Sequence, residues 1–464
     1  MAASLAELMQ AVRHDDVKAA LALLDASPGL VETSIHAAAV VADEARVRAL
    51  LAQDAALATL AIGDDATPPL VLAVQSALAR ARGVSEDTQA RVVSALIDAG
   101  ADPNSSVGLA DVHGRIPVLY FPCVAGNVPV ARVLLERGAS PTDGESLYHA
   151  AQYNRRAILE LLLAHGANLS EGPAGTGNTP LHFLASHRAS NALAPHVIAG
   201  MQWLLEHGAD PRVPLVVIGD AQHPSQQGET PLHRAAANGY GVDVLAMFVA
   251  HGAAVDERRD DGATPYALAI RAANRDGALW LEEQGADVTC VSAMDRLLGA
   301  CLSADEQTAQ HIAQEHPTLI PSLTGSDAGA LLTALVDGRD DAVRVMLALQ
   351  WPLAHESEWG GTALHWAAWN GRTKMVRQLL EHGAPVNVRD SRYGSSPLAW
   401  TAHGSRYCAR ANDEDYPAIA HLLLDAGSTR AEAINQWGEP PESLGRPSVV
   451  AVLQQRGFAP SEGG

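Results

Sequence analysis

Tryptophan is the residue type whose placement in this chain most clearly indicates a binding surface. Aromatic residues make up only 4% of the 464-residue sequence. Trp366 and Trp369 are three residues apart, so on a helix they share one face. Tryptophan and tyrosine often anchor binding surfaces because they bury much area at little entropic cost. The tryptophans therefore predict a site that holds a partner through aromatic contacts. Six of the eight lie in the last quarter of the chain, namely Trp351, Trp359, Trp366, Trp369, Trp400 and Trp437.

Histidine offers a second chemistry, which is acid–base catalysis. Of the 19 histidines, His149, His187 and His403 remain of interest once those at helix ends and in a recurring motif are set aside. A histidine beside a carboxylate and a tyrosine can transfer protons, and Glu358 and residues 413–415 are the carboxylates available to it. No spacing rule joins these residues. His149, His403 and Glu358 are therefore weak catalytic candidates.

Motifs of established catalytic chemistry are missing from the sequence. It contains no Walker loop, nucleophile elbow, His-Glu-x-x-His zinc motif or dinucleotide fingerprint. No predicted helix offers a pair of histidine or carboxylate ligands four residues apart in clear alignment with the groove, so we expect no metal and no cofactor. The sequence does not favour an enzyme.

Two recurring signals define the elements that must position these side chains. The first is the motif Thr-Pro-Leu-His with its variants, and each copy leads into a short Ala-rich apolar segment. The second is a Gly-Ala turn after an apolar helix, as in residues 165–168 and 382–385, where glycine can close the helix at positive φ without a Cβ penalty. The copies of the first signal are Thr-Pro-Leu-His at 179–182 and 230–233, Thr-Ala-Leu-His at 362–365 and Ser-Pro-Leu-Ala at 396–399.

These motifs, whose copies at 362 and 396 are separated by close to the 33-residue ankyrin period, resemble the ankyrin repeat. The resemblance covers nearly the whole chain and implies an all-α ankyrin-repeat solenoid of stacked helix pairs with hairpin loops. We expect about twelve repeats and a C-terminal cap in a single array. The predicted parts are capping helices at 1–33, repeats with long insertions at 34–289, degenerate repeats at 290–361, Trp-rich repeats at 362–440 and the cap at 441–464.

The resemblance implies structural roles for the motif residues themselves. The motif threonines are expected to cap helices, and His182, His233 and His365 to form hydrogen bonds between repeats. His36 occupies the same position. Tyr148 and Tyr120 replace the histidine elsewhere, which leaves the usual bond in question there.

The resemblance also places binding on the concave face, which hairpin tips and exposed positions of the inner helices form. Trp400 follows Trp366 by 34 residues and so lies one repeat further along. Trp351 and Trp437 miss these positions and are expected to fill space between repeats. Counting from the motif histidine gives the candidate binding residues Phe121, His149, Tyr153, His187, Arg234, Trp359, Trp366, Trp369, Arg392, Tyr393, Trp400 and His403.

Long insertions interrupt the repeats. Such segments are often functional, and here they are interpreted either as lids or specificity loops beside the groove or as decoration without a binding role. The insertions lie at 80–88, 104–115, 188–198, 211–229 and 405–415.

Composition limits the partners. The chain has 32 Lys and Arg against 53 Asp and Glu, a formal net charge of −21, which argues against nucleic acid and anionic membranes as partners. Four cysteines without a Cys-x-x-Cys pair, no signal peptide and no apolar run of 18 residues predict a soluble cytoplasmic protein. Lysine occurs only at Lys18 and Lys374, which indicates high-GC codon usage and a bacterial source.

Three functions remain open from the sequence. The favoured one is an interaction protein, monomeric by expectation, that holds a basic or amphipathic protein or peptide in its groove. The second is a small-molecule-binding protein or enzyme with an enclosed site. The third is a bacterial effector that acts in a host cell, and neither terminus supports it.

Overall fold

Short helices arranged in consecutive antiparallel pairs make up most of the molecule. A computed structural model describes residues 4–13, 16–63, 66–75, 77–108, 115–170, 172, 177–216, 226–357, 360–408 and 415–458. The chain divides into two compact units, Met1–Pro265 with Leu279–Ala286, and Tyr266–Ala278 with Asp287–Gly464. No helix among the described residues is long and apolar enough to cross a membrane.

The first unit contains sixteen complete helices and one small hairpin within its described residues. In the hairpin, strands β1 (Ser106–Gly108) and β2 (Arg115–Pro117) pair antiparallel, with Val107 opposite Ile116. A 3-10 helix covers Ala55–Thr59. The helices are α1 (Leu5–Arg13), α2 (Val17–Ala26), α3 (Gly29–Thr33), α4 (Ile35–Val40), α5 (Glu44–Gln53), α6 (Pro69–Gln75), α7 (Ala77–Ala81), α8 (Glu86–Asp98), α9 (Tyr120–Ala125), α10 (Val128–Glu136), α11 (Ser146–Gln152), α12 (Arg156–Ala164), α13 (Pro180–Ala185), α14 (Ala194–Glu206), α15 (Pro231–Ala237) and α16 (Val242–Ala250).

The second unit continues the same alternation of short helices. Helices α17 (Pro265–Arg271) and α18 (Arg275–Glu283) contain residues of both units. Two 3-10 helices cover Val288–Cys290 and Ile320–Ser322. The remaining helices are α19 (Ala293–Leu302), α20 (Glu306–Glu315), α21 (Gly325–Ala328), α22 (Ala330–Val336), α23 (Asp340–Ala348), α24 (Ala363–Trp369), α25 (Thr373–Glu381), α26 (Pro397–Tyr407), α27 (Asp415–Asp425), α28 (Arg430–Ala433), α29 (Pro441–Leu444) and α30 (Pro447–Gln455).

The recurring motif explains where the inner helix of a pair begins. In α13 the side chain of Thr179 accepts from the backbone N–H of His182, and Pro180 occupies the first turn, where its missing N–H costs nothing. The motif leucines, such as Leu181 and Leu364, are fully buried. Each inner helix is therefore fixed by a polar cap at its start and by an apolar side chain inserted into the core.

The Gly-Ala turn explains where the outer helix ends. At the end of α14, Gly208 has φ +93°, which glycine tolerates without strain. This conformation lets the Gly208 N–H donate to Leu205 O at 3.1 Å and the Ala209 N–H donate to Leu204 O at 3.0 Å. The last carbonyls of the helix are thereby satisfied.

A single cluster of buried apolar side chains runs through the second unit from Leu297 to Phe458. It includes the degenerate stretch 290–361, where α19 pairs with α20 and α22 pairs with α23. Residues of α30 and Phe458 are the last members of the cluster along the chain. The repeats that lack the Thr-Pro-Leu-His opening therefore still bury a continuous core, because their helices keep the apolar spacing. The division of the chain into one array with the predicted boundaries stays a prediction.

The predicted insertions differ in structure. The segment 80–88 is largely helical, since α7 ends at Ala81 and α8 begins at Glu86. Part of 188–198 belongs to α14, which begins at Ala194. Part of 405–415 extends α26 to Tyr407. In the segment 104–115, β1 and β2 form the hairpin arms, and residues 109–114, like 217–225 and 409–414 in the other insertions, lie outside the described residues.

Candidate functional site

The motif histidines form the scaffold of the repeats. His182 Nδ1 lies 2.9 Å from Thr179 Oγ1, and its Nε2 lies 2.9 Å from Glu229 O of the next repeat. His365 bonds Ser395 O in the same way at 3.0 Å. Burial lowers the pKa of His182 to about 3, so this ring is neutral at physiological pH. The expected capping and inter-repeat roles are confirmed for these residues.

A further motif histidine and one of the two departures from the motif form the expected inter-repeat bond. His36 Nε2 bonds Leu60 O at 2.7 Å, as a motif histidine would. Tyr148 donates its hydroxyl to Asn178 O at 2.6 Å. The longer phenol therefore supplies the inter-repeat bond whose presence was in question. Tyr120 instead packs its ring edge-on against His149, with centroids 4.8 Å apart.

The second unit carries eight ring side chains in continuous contact, and the seven other than the buried motif histidine His365 are here called the C-terminal aromatic face. Trp400 is at its centre, with the centroids of Trp366 at 5.4 Å, Trp369 at 6.0 Å and Tyr393 at 6.0 Å. These three rings stand at 65–75° to the plane of Trp400, the edge-to-face arrangement that aromatic pairs prefer. The full set is Trp366, Trp369, Tyr393, Trp400, His403, Tyr407 and Trp437.

Trp400 is the base of this face rather than an exposed anchor, because only 7% of it is exposed. Its indole N–H donates to Asp390 Oδ2 at 3.0 Å. Asp390 is 2% exposed and also accepts the backbone N–H groups of Arg392, Tyr393 and Ser395 at 2.6–3.0 Å. One buried carboxylate therefore fixes both the hairpin tip and the central indole.

Helix packing sets the spacing between the tryptophans. A Cβ on Gly404 would lie 2.7 Å from the backbone oxygen of Trp369, so α26 approaches α24 more closely than any other residue at position 404 would allow. A Cβ on Gly361 would meet the six-membered ring of Trp400 at 3.0 Å. These two glycines hold Trp366, Trp369 and Trp400 within one cluster.

The polar atoms of the aromatic face are partly available to a ligand. Trp366 donates its indole N–H to Gly360 O at 3.0 Å. The indole N–H of Trp369 has no hydrogen-bond partner among the described residues, and the ring is half-buried. Trp369 therefore combines an apolar surface with a free donor.

Two predictions for the remaining tryptophans have opposite outcomes. Trp351 is buried and donates its indole N–H to Ala328 O at 3.0 Å, as a space-filling residue should. The prediction that Trp437 fills space between repeats is wrong, because 63% of it is exposed. It lies on the loop between α28 and α29, where its ring contacts Tyr393 at a centroid distance of 6.3 Å.

His403 contacts rings, and its side chain forms no hydrogen bond or salt bridge with another described residue. Its imidazole lies 5.4 Å from Trp369 and 4.6 Å from Tyr407 between centroids. Desolvation lowers the pKa of His403. Glu358, the carboxylate expected beside it, and Trp359 lie outside the described residues. The guanidinium of Arg392 lies over the ring of Tyr393, with its carbon 5.6 Å from the ring centroid.

In the first unit, four side chains form a chain of polar contacts, here called the histidine relay. They are Glu145, His149, Gln152 and His187. His149 Nε2 lies 3.3 Å from Glu145 Oε2, and its Nδ1 lies 2.8 Å from Gln152 Oε1. Gln152 Nε2 donates to His187 Nε2 at 2.8 Å, and His187 Nδ1 donates to Phe183 O at 3.1 Å. Both ring nitrogens of each histidine are therefore engaged within the protein.

Rings surround the histidine relay. Phe183 lies between His149 and His187, with centroid distances of 5.1 and 5.2 Å. Phe121 reaches the group through Tyr120 at 5.3 Å. Tyr153 ends α11 and packs instead under the guanidinium of Arg155 at 5.8 Å. The structure thus brings Phe121, His149 and His187 together, and it leaves Tyr153 in a separate contact.

Arg234, a predicted binding residue, forms several contacts within the protein. It donates to Glu229 Oε2 at 2.8 Å and to Asn178 Oδ1 at 3.1 Å. Arg259 also lies 3.8 Å from the Glu229 carboxylate. The side chains of Arg234 and Glu229 are 14% and 6% exposed, so this pair joins neighbouring repeats inside the protein. A buried carboxylate is stabilised by such a cation, so this contact is structural, and a ligand contact of Arg234 stays a prediction.

Sequence reasoning missed Asp390 and Tyr407 as members of the site. Asp390 opens the turn Asp-Ser-Arg-Tyr-Gly, and its side chain accepting backbone N–H groups is a recognisable turn signal. Tyr407 is four residues after His403, which places both on one side of a helix. It was missed because the helix was expected to end near residue 405.

Three or more histidine, cysteine or acidic side chains do not gather into a possible metal site anywhere in the described part of the chain. No disulfide joins the four cysteines, all of which lie among the described residues. Cys123 and Cys301 are fully buried, and burial raises the pKa of both thiols. These two thiols are parts of the core.

Comparison with known proteins places these features in context. A family model described as ankyrin repeats in three copies matches residues 197–292, 297–390 and 331–432, and a model of the single ankyrin repeat matches 176–214. The chain is 34% identical to the transient receptor potential channel pyrexia of Drosophila melanogaster over 146 residues, 30% of this chain and 13% of that protein. It is 26% identical to the E3 ubiquitin-protein ligase KEG of Arabidopsis thaliana over 348 residues, 68% of this chain and 19% of the ligase.

The chain therefore spans less than a fifth of the length of either relative. Among solved structures, the ankyrin repeat domain of human ASB11 matches with a TM-score of 0.38 and 23% identity, over 54% of this chain and 96% of that domain. The family-model matches cover more than half of the sequence, and the capping and inter-repeat bonds of the motif histidines agree with them. The chain belongs to the ankyrin repeat family.

Proposed function

We propose that this protein is an interaction module that holds an extended segment of a partner protein on its C-terminal aromatic face. Ankyrin repeats are generally protein–protein interaction modules. The observation that carries the proposal is the unbroken ring contact from exposed Trp437 through Tyr393 and Trp400 to exposed Tyr407. Such a row can accept several consecutive side chains of a peptide.

The exposure of the rings supports an open surface. Tyr393, Tyr407 and Trp437 are 37%, 64% and 63% exposed, values that a soluble protein rarely gives to three large aromatic side chains in one patch. The base is rigid, because Trp400 and the hairpin tip share the Asp390 carboxylate. A preorganised aromatic surface loses little entropy when a partner binds.

The free indole N–H of Trp369 gives the surface a polar contact. A peptide backbone carbonyl is the natural acceptor for such a donor, and a donor left unpaired beneath a bound partner would reduce affinity. The proposal includes a cytoplasmic setting, which four cysteines without a disulfide favour. The proposal also includes a bacterial source and a monomeric state.

A random peptide library displayed on phage tests the proposal with the full-length protein. We expect selected peptides to lose about tenfold or more in affinity with Trp369→Ala and with Trp437→Ala, because such anchors carry much of the binding energy. Val336→Ala is the matched control, since Val336 is an exposed apolar residue of the same unit outside the face. It should leave affinity within about twofold.

Two other results would argue against binding of a peptide on the aromatic face. Peptides that bind the Trp369→Ala and Trp437→Ala variants as well as the wild type would contradict the proposal. A tightly bound small molecule that native mass spectrometry finds in the purified protein, and that Trp369→Ala releases, would support the alternative of a small-molecule site.

A further inference from the structure

We infer that the C-terminal aromatic face selects an arginine side chain of the partner segment, which lodges against the rings of Trp366, Trp369 and Tyr393. This inference rests on the proposed function and adds the chemical class of the ligand. It follows from the charge beneath the face, from the guanidinium that already stacks there and from the carboxylates beside it.

The charge beneath the face is negative and has no ion-pair partner among the described residues. Asp390 accepts four N–H groups, and no lysine, arginine or histidine of the described chain forms a salt bridge with it. Its carboxylate lies 3.0 Å from the Trp400 indole nitrogen. The Trp400 ring is buried, so for a ligand on Trp366, Trp369 or Tyr393 the Asp390 carboxylate acts through its charge, which attracts a cation.

The structure itself contains one guanidinium on this face. The Arg392 guanidinium carbon lies 5.6 Å from the centroid of Tyr393, within the ~6 Å range of a cation–π contact. Arg392 is exposed, so solvent screens its charge. A partner arginine would compete with Arg392 for the Tyr393 ring, so Arg392 opposes binding instead of assisting it.

Two carboxylates lie on the hairpin and loop that border the face. Glu356 Oε2 accepts the Ser391 N–H at 3.1 Å, next to Arg392 in the hairpin tip. Glu439 Oε2 accepts from Asn435 Nδ2 at 2.8 Å, in the loop that carries Trp437. The whole chain has a net charge of −21. A cationic ligand therefore meets complementary charge at the rim, below the rings and over longer range.

Arginine fits this combination better than lysine. Its planar guanidinium can stack on a ring while its in-plane N–H groups still reach a carboxylate, and it loses less hydration than an ammonium group does. Three rings at steep angles around Trp400 present more than one surface for such stacking. Citrulline has nearly the same shape and no charge, so it is the matched neutral ligand.

The test uses the tryptophan indole N–H signals of the full-length protein, assigned by single Trp→Phe variants and recorded by NMR. N-acetyl-arginine amide should shift the signals of Trp366 and Trp369, and N-acetyl-citrulline amide should bind at least about fivefold more weakly. Signals of buried Trp203 and Trp351 should not move. Arg392→Ala should strengthen arginine binding about two- to fivefold, and Glu439→Gln should weaken it.

Three outcomes would overturn the inference: equal shifts with citrulline, no shift with either ligand, or weaker arginine binding in the Arg392→Ala variant. The failures of the two proposals can be told apart. Peptides that depend on Trp369 but tolerate replacement of every arginine by citrulline would leave the proposed function standing and remove the arginine selectivity. Absence of any Trp369-dependent peptide would remove both.

Discussion

At the scale of single residues, buried polar side chains hold the proposed binding surfaces of this protein in place. Asp390 satisfies four donors, and Gln152 links two histidines through both ends of its amide. Each of these side chains is buried, so its partners cannot find water as a substitute. Replacing one such residue should therefore cost more than the loss of a surface hydrogen bond.

Gln152→Leu tests this for the histidine relay. The leucine fills a similar volume but leaves His149 Nδ1 and His187 Nε2 without their amide partner, so we expect a loss of about 1–3 kcal/mol in the free energy of unfolding. Urea denaturation followed by circular dichroism measures it. Gln202→Leu, at an exposed position of α14, is the control and should change stability by less than about 0.5 kcal/mol. Equal effects of the two variants would show that the relay is not structural.

The buried motif histidines predict a dependence of stability on pH. Burial lowers the pKa of His182 to about 3 and that of His233 to about 4, against ~6.5 in the unfolded chain. Below pH ~6.5 the unfolded state therefore binds protons that the folded state does not bind. The contribution of these histidines to the free energy of unfolding is fully present above pH ~6.5 and decreases as the pH falls. Each histidine should lower the free energy of unfolding by about 2 kcal/mol when the pH falls from 7.5 to 5.

Urea denaturation at the two pH values checks this pH dependence. The variant His182→Gln with His233→Gln should lose less stability than the wild type on going from pH 7.5 to pH 5, whatever its stability at pH 7.5. His311→Gln, at an exposed helix position, should keep the wild-type dependence. A steeper fall in the double variant would contradict the assignment of these rings as buried and neutral.

At the scale of elements, the repeat motif predicts the inner helices because its residues act locally. Threonine, proline and histidine fix the start of α13, α15 and α24 through contacts within one turn. The contacts of the site do not follow from such local rules. Asp390 and Trp400 are ten residues apart and meet only because the hairpin folds back over α26. The sequence thus predicts which helices carry the aromatic residues, and it does not predict that Trp400 is buried while Trp437 is exposed.

Gly404 tests how closely α26 must pack on α24. Alanine usually stabilises a helix relative to glycine by about 0.5–1 kcal/mol, but a methyl group here would lie 2.7 Å from the Trp369 oxygen. We therefore expect Gly404→Ala to destabilise the protein by about 1–3 kcal/mol, as overpacking does. The change should also alter the tryptophan fluorescence of the aromatic face.

Gly29→Ala is the matched control for that substitution. Gly29 begins a helix, and nothing lies within 4 Å of the position its Cβ would take. Thermal unfolding should show an unchanged or slightly raised midpoint for this variant. A Gly404→Ala protein as stable as the wild type would mean that α26 can move away from α24 at little cost.

At the scale of the whole molecule, the net charge of −21 acts over distances that no single contact covers. Net charge influences encounter more than final affinity, because it steers partners before contacts form. Contacts with the aromatic rings then set the dissociation rate of the partner. The two effects can be separated by measuring association and dissociation rates at different salt concentrations.

For an arginine-containing peptide of charge about +3, we expect the association rate constant to fall about tenfold or more between 50 mM and 500 mM NaCl, since salt shortens the range of the attraction. The dissociation rate should change much less, because stacking on Trp366 and Trp369 depends on short-range contact. Stopped-flow tryptophan fluorescence measures both rates. The citrulline version of the same peptide should lose most of the salt dependence of association. Identical salt dependence in the two peptides would mean that the acidic character of the chain has no part in bringing its partner to the aromatic face.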